Sequence, residues 1–195
     1  VVKRAHPESG VDLTFIKLSG ESNGDAGDPY IGLDRFGRTV DHRWTTGTTT
    51  KDHFQYGHDR NSNPLYKENM VEATRSELFA YDGFNQLTNF SRGTLNTNKD
   101  GISGTASRTQ SWDFDALGNV ESRTTNGTAE TRSHNKQNEL TAASGQTSPT
   151  YDANGNQTND LAGLGYKFDA WDRLVEVTSS GGGAAIRTYH YDALG

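Results

Sequence analysis

Large apolar residues are sparse in this chain, and many come in pairs two positions apart. Phe79/Tyr81, Trp112/Phe114, Tyr166/Phe168 and Tyr189/Tyr191 each enclose one small or polar residue: Ala80, Asp113, Lys167 and His190. Successive side chains of a strand point to opposite faces, so each pair shares one face and predicts a half-buried strand. An aspartate follows every pair: Asp82, Asp115, Asp169 and Asp192. Weaker copies stand at Tyr56-Gly57-His58-Asp59 and Pro149-Thr150-Tyr151-Asp152, and degenerate ones at Ile31-Gly32-Leu33-Asp34 and Arg132-Ser133-His134-Asn135. The anchors 34, 59, 82, 115, 135, 152, 169 and 192 are 25, 23, 33, 20, 17, 17 and 23 residues apart. Most of these spacings fall in the range of stacked supersecondary repeats. His58 and His134 fill a slot held by Tyr or Phe elsewhere and are expected to stack as aromatics.

Three residues after each anchor come Gly37, Ser62, Asn85, Gly118, Asn138, Gly155, Asp172 and Gly195. Gly, Asn and Asp best tolerate a left-handed backbone, and Ser62 is the one poor fit. The spacing predicts a type I turn followed by a left-handed residue, a tight hairpin loop with a bulge. The anchor side chain can accept a backbone N–H two residues on. A polar residue and an apolar one then follow: Gln86-Leu87, Asn119-Val120, Glu139-Leu140, Arg173-Leu174. In the first two copies the apolar residue slips to Val40 and Leu65, and the sixth copy has Gln157. Each unit reads as strand, tight turn, strand. Isolated two-stranded hairpins are marginal, so neighbours are expected to stack and bury the aromatic faces.

Composition sharpens this picture. Hydrophobic residues are 31% of 195 and the mean hydropathy is -0.85, values that lean toward disorder; aromatic residues at 10% do not. The apolar groups must be few, large and well placed. The net charge of -6, with no basic run, disfavours nucleic acid as a partner. Cysteine is absent, which removes disulfide and thiolate chemistry. No apolar stretch is long enough for a membrane-spanning helix.

Candidate chemistry is thin. The turn role explains the repeated aspartates. His6, His42, His53, His58, His134 and His190 lack metal-ligand spacing, and there is no GxSxG elbow. The reading is therefore no catalytic residue, no cofactor and no metal. Two loops are candidates for calcium. Asn96-x-Asn98-x-Asp100-Gly101 mimics half of an EF-hand loop, with Ser107 where a bidentate Glu belongs; Asn23 to Asp28 is acidic and Gly-rich. Both read better as solvated loops, and Gly181-Gly182-Gly183 reads as a linker. Trp44, Trp112 and Trp171 are expected to pack between coils; stacking on a sugar is their alternative use.

YDGFNQL (81–87), FDALGNV (114–120), YDANGNQ (151–157), FDAWDRLVEV (168–177) and GLDRFGRTV (32–40) resemble the YD repeats of bacterial Rhs proteins, also found in Tc-toxin shells and teneurins. The positions that carry the resemblance are Tyr81, Asp82, Asn85, Phe114, Asp115, Gly118, Tyr151, Asp152, Gly155, Phe168, Asp169, Tyr191, Asp192 and Gly195. It implies an all-β fold: a spiral antiparallel sheet of YD β-hairpins, an open fragment of a YD shell or β-solenoid. Residues 1–29 form an N-terminal strand and linker region, with VDLTFIKL (11–18) as a strand, and 30–195 form the repeat region. The resemblance implies a structural role outside the cell or on a bacterial surface, as shell, scaffold or fibre. Adhesion to glycan or protein is the alternative reading, and a fragment of a toxin-enclosing shell the next. Implied partners are other copies of the chain or flanking repeats, with glycan second. The DPxG-type motif that ends Rhs cores has no counterpart, since Asp28-Pro29 is followed by Tyr30. The last repeat breaks off after DALG, which reads first as a hairpin whose returning strand lies beyond this sequence, and second as an incomplete hairpin open to a strand from another copy.

Overall fold

The computed structural model describes residues 3–4, 10, 12–15, 32–180 and 182–192. Among them there is no α-helix, and the one helical turn is a three-residue 3-10 segment, Ala73–Arg75. The rest is antiparallel strand and connection, open rather than closed into a barrel. The chain divides into two compact units, 1–111 and 112–195. A boundary at 29/30 lies outside the described residues.

The first unit runs through β1 (Lys3–Arg4), β2 (Asp12–Thr14), β3 (Asp41–Thr46), β4 (Thr49–His58), β5 (Pro64–Asn69), β6 (Glu77–Tyr81), β7 (Leu87–Arg92) and most of β8 (Arg108–Phe114). Each strand pairs with its sequence neighbour, so strand order is chain order. Of the strand predicted over 11–18, Asp12–Thr14 is strand and pairs with β3, and 16–18 lie outside the described residues.

Two faces separate by period two on β3 and β4. Phe54, Tyr56 and His58 share one face with His42. The His42 ring centroid lies 5.5 Å from those of Phe54 and Tyr56, Tyr56 stacks on His58 at 6.5 Å, and Phe15 meets His42 edge-on at 6.1 Å. Such ring pairs each contribute about 0.5–1.5 kcal/mol beyond their buried area. The other face is polar: His53 Nε2 and Gln55 Nε2 lie 2.9 Å and 2.8 Å from the Asp41 carboxylate. On β6 and β7, Phe79 sits directly opposite Phe90, with ring centroids 5.8 Å apart. Gly57 faces Tyr66 across β4 and β5, and the Tyr66 ring occupies the space a Cβ would need.

The second unit holds β9 (Val120–Thr125), β10 (Thr128–His134) and β11 (Leu140–Ala143), then a five-stranded sheet of β12 (Thr150–Tyr151), β13 (Gln157–Asn159), β14 (Gly165–Phe168), β15 (Leu174–Thr178) and β16 (Ala185–Thr188), again in chain order. β9 and β10 are threonine-rich, which suits a pleated surface. They turn at Asn126-Gly127, where φ of 48° and 82° give the two left-handed residues of a type I′ hairpin.

The aromatic pairs are less buried than stacking requires. Phe79/Tyr81, Trp112/Phe114 and Tyr166/Phe168 are half-buried, and Tyr189/Tyr191 are exposed. Leu95, Ala143 and Pro149 are the apolar side chains buried among those described. The most buried polar group is Ser76: its hydroxyl accepts the Asn69 N–H at 3.0 Å, and its carbonyl accepts the Gly93 N–H at 3.0 Å.

Candidate functional site

The feature that recurs throughout the described chain is the anchor turn. At Asp34, Asp59, Asp82, Asp115, Asn135, Asp152 and Asp169 the geometry is the same. The anchor N–H donates to the carbonyl four residues on (2.9–3.0 Å), and the N–H three residues on donates back to the anchor carbonyl (2.9–3.2 Å). That third residue is left-handed every time: φ is 75° at Gly37, 71° at Ser62, 64° at Asn85, 87° at Gly118, 63° at Asn138, 87° at Gly155 and 59° at Asp172. Ser62, the poor fit by residue type, adopts the same conformation as the glycines. Gly195 lies outside the described residues. At the first anchor the bridge between Leu33 and Thr39 flanks the turn among the described residues.

The anchor side chain fills the loop. One oxygen accepts two backbone N–H groups, from the second and fourth residues on: Phe36 and Arg38, Asn61 and Asn63, Phe84 and Gln86, Leu117 and Asn119, Gln137 and Glu139, Asn154 and Asn156, Trp171 and Arg173. The other carboxylate oxygen accepts from the side chain four residues on, at Arg38, Asn63, Asn119, Asn156 and Arg173. Asn135 reverses the arrangement. There the anchor amide donates, and the residue four on is an acceptor, Glu139.

These donors set the electrostatics. At Asp34, Asp59 and Asp169, burial pushes the carboxyl upward, and backbone and side-chain donors outweigh it to hold it below its ordinary value. At Asp115 and Asp152 the side-chain amides of Asn119 and Asn156 are the leading cause of the same lowering.

A further turn of this kind joins β13 to β14. Asp160 accepts from the Ala162 and Leu164 N–H groups at 2.9 and 2.8 Å, Gly163 has φ 86°, and the Tyr166 hydroxyl donates to the second oxygen at 2.6 Å. That bond lowers the Asp160 carboxyl and raises the Tyr166 phenol. The aromatic-pair pattern misses this turn because no such pair precedes Asp160; Asp-x-x-Gly alone is the available signal.

The third turn residue, counting the anchor as the first, points outward. Phe36, Phe84, Leu117 and Trp171 are 75%, 86%, 71% and 75% exposed. Trp171 therefore does not pack between coils: it is a turn-tip residue, with the Arg173 guanidinium 5.4 Å from its ring centre. Trp44 and Trp112 are half-buried.

The 96–101 loop is closed by its own hydrogen bonds rather than by a gathered ligand set. In the 96–101 loop the Asn96 amide donates to Asp100 at 2.7 Å, its oxygen accepts the Asp100 N–H, and Lys99 pairs with Glu68. Residues 23–28 lie outside the described residues. Among the described residues no three His, Asp or Glu side chains gather as a metal site. A concavity of about 430 Å³ in the first unit holds Lys67, Arg75 and Arg92 against Glu72 and Glu77. Within it Arg75 pairs with Glu72 at 2.9 Å, Arg92 with Glu77 at 2.6 Å, and Lys67 covers the Phe54 ring at 4.4 Å. No helix of the described residues is long and apolar enough to cross a membrane.

Comparison with known proteins adds the following. No family model matches the chain. Over 133 residues it is 34% identical to the tRNA nuclease WapA of Bacillus subtilis (strain 168) and to the tRNA3(Ser)-specific nuclease WapA of Bacillus spizizenii; the match covers 68% of this chain and 4% of each relative. The Photorhabdus luminescens Tc holotoxin pore structure matches 98% of the chain and 10% of its own, at TM-score 0.65 and 17% identity. The crystal structure of TcdB2-TccC3 matches 94% and 10%, at TM-score 0.61 and 16% identity. The chain thus spans a small fraction of the proteins it resembles.

Proposed function

From a chain that shares the fold of the Rhs/YD-repeat shells of Tc toxins, we propose that it is a wall segment: a structural stretch of hairpins within a longer shell, outside the cell or at its surface. The observation that supports this best is the anchor turn, repeated with one hydrogen-bond pattern while strand order follows chain order. That arrangement lets successive hairpins extend a sheet along the chain. The role proposed is mechanical, and the toxin-enclosing version of the shell fits as well as a bare scaffold. The nuclease activity named for the WapA relatives is assigned here to parts of those proteins that this chain does not match.

Electron microscopy of the intact polypeptide that carries the segment is the test. A hollow particle with these hairpins in its wall is the expected result; a solid globule overturns the proposal. Purified chain incubated with tRNA should leave it uncut, and cleavage that survives repurification would return the enzyme reading.

The adhesive reading keeps one supporting observation, the exposed Phe36, Phe84 and Trp171 at turn tips. Exposed rings stack on sugars and on apolar protein surfaces alike. A glycan array separates it: retention that disappears with Trp171→Ala supports adhesion, and a blank array removes glycan as the ligand.

A further inference from the structure

Four of the left-handed turn residues are not glycine: Ser62, Asn85, Asn138 and Asp172. Glycine takes that conformation without a steric cost, and any other residue takes it at a cost, serine more than asparagine. Something must offset the difference at each of the four.

In every case the side chain accepts a hydrogen bond from the preceding anchor turn. The Arg38 guanidinium reaches Ser62 Oγ at 3.3 Å and the Asp59 carbonyl at 2.9 Å. Asn63 Nδ2 donates to Asn85 Oδ1 at 2.8 Å, Asn119 Nδ2 to Asn138 Oδ1 at 3.1 Å, and Asn156 Nδ2 to Asp172 Oδ1 at 2.7 Å. Each donor is the fifth residue of its own turn. An asparagine there spends one amide hydrogen inward, on its own anchor carboxylate, and the other sideways, on the next turn. Asn61 and Asn154, two positions earlier, double the sideways bond to Asn85 and Asp172 at 2.8 and 2.9 Å.

The glycines complete the pattern. Gly155 follows a turn whose fifth residue is Glu139, a carboxylate with no hydrogen to give; Gly118 follows one whose fifth residue is Gln86, an amide that can donate but finds no acceptor side chain on a glycine. Those two positions coincide with the two discontinuities of the chain. The Gly118 turn is the first after the unit boundary at 111/112, and the Gly155 turn opens the separate five-stranded sheet.

We propose that the fifth residue of one turn and the left-handed residue of the next form a lateral clamp that specifies which hairpins lie side by side, and that a glycine in the second slot ends a clamped block. The anchors then group as 34–59–82, 115–135 and 152–169. Within a block the clamp ties each turn to the next; at the block boundaries no such turn-to-turn clamp forms among the described residues. The clamp rests on hydrogen bonds within this chain and stands whether or not the wall-segment reading holds.

Asn85→Gly and Asn85→Asp test it. Both retain a residue compatible with the turn, and Asp172 shows that an aspartate can accept the same two amides. If the slot only needs a left-handed backbone, glycine should be neutral or stabilising. The clamp predicts the reverse. Hydrogen exchange at the Asn61 and Asn63 N–H groups should quicken roughly three- to tenfold in Asn85→Gly, the range of one net hydrogen bond, and stay within about twofold of the parent in Asn85→Asp. Exchange in Asn85→Gly as slow as in the parent overturns the proposal, as does equal quickening in both variants. Asn138→Gly, read at the Leu117 and Asn119 N–H groups, repeats the test in the other unit and decides the matter by the same outcomes should Asn85→Gly not fold.

Discussion

The anchor turns and the connections that return the chain between them obey different rules. Every described anchor turn has five residues, one hydrogen-bond pattern and a side chain plugging its centre. The returning connections share no single form, although one of them, the Asp160 turn, repeats the anchor pattern. One is a two-residue type I′ turn at Asn126-Gly127, one carries the 3-10 segment at Ala73–Arg75, one is the excursion 93–107, and one is the Asp160 turn. The uneven repeat spacing follows from this contrast. The anchor turns are constant in length, so the variation enters through the strands and the returning connections, and the 33-residue interval from Asp82 to Asp115 contains the longest excursion. A turn that must meet its neighbours laterally is held to one shape, whereas a connection meeting only solvent or the sheet face is free to vary.

Acid should break the contrast most completely. Asp34, Asp59, Asp115, Asp152, Asp160 and Asp169 all have carboxyls lowered by their donors. A carboxyl lowered on folding stabilises the fold above its unfolded value of about 4, and that contribution is lost as pH falls through the lower folded value. Thermal midpoints measured from pH 7 to pH 2 should hold until about pH 4 and then fall steeply, and exchange should quicken at all six turns before it does at the Asn135 turn, whose anchor is an amide. A flat profile to pH 2 would remove the carboxylate plug as a source of stability.

Leu95 tests whether the long excursion is structural or ornamental. It is 7% exposed and bridges to Ile102. Leu95→Ala should cost about 2–5 kcal/mol, the range for a buried leucine, in urea unfolding. A cost below about 1 kcal/mol would mean that the excursion contributes little to the first unit.

Gly118→Val places a β-branched residue at φ 87° and should cost roughly 1–2 kcal/mol or more by the same measurement. The smaller partner experiment concerns polarity. Asn135→Asp sets a carboxylate against Glu139 in place of their hydrogen bond, a loss of about 1 kcal/mol, and the double variant Asn135→Asp, Glu139→Asn should recover it by recreating the pairing of Asp115 with Asn119. Failure of the double variant to recover would mean that the pair is not independent of its surroundings.

The smallest effect should come from lengthening a returning connection. Two residues inserted at Gly47, an open tip with no neighbour within 4 Å, should cost less than roughly 0.6 kcal/mol. The same insertion between Asp82 and Gln86 should abolish the protection of the Phe84 and Gln86 N–H groups.

What the sequence determined by itself is whatever depends on neighbours along the chain. Period-two aromatic pairs made the all-β, antiparallel class legible, because a strand's faces are set by its own alternation. The left-handed slot is equally local: it belongs to a turn closed by residues within five positions of one another, so Gly, Asn and Asp crowd there. The partner of the fifth residue was not legible. Asn63 and Asn119 read only as polar, since the atoms they bond sideways, on Asn85 and Asn138, lie 22 and 19 positions away. Ser62 read as a poor fit for the same reason. Tertiary structure also decided exposure. Trp171 and Phe168 are three residues apart and both aromatic, yet a turn tip sends one into solvent and a strand face half-buries the other. Hydrophobic residues carry no mark of which surface will cover them; that depends on which hairpin comes to lie alongside, a relation fixed by lateral hydrogen bonds between turns and only established once the chain has folded.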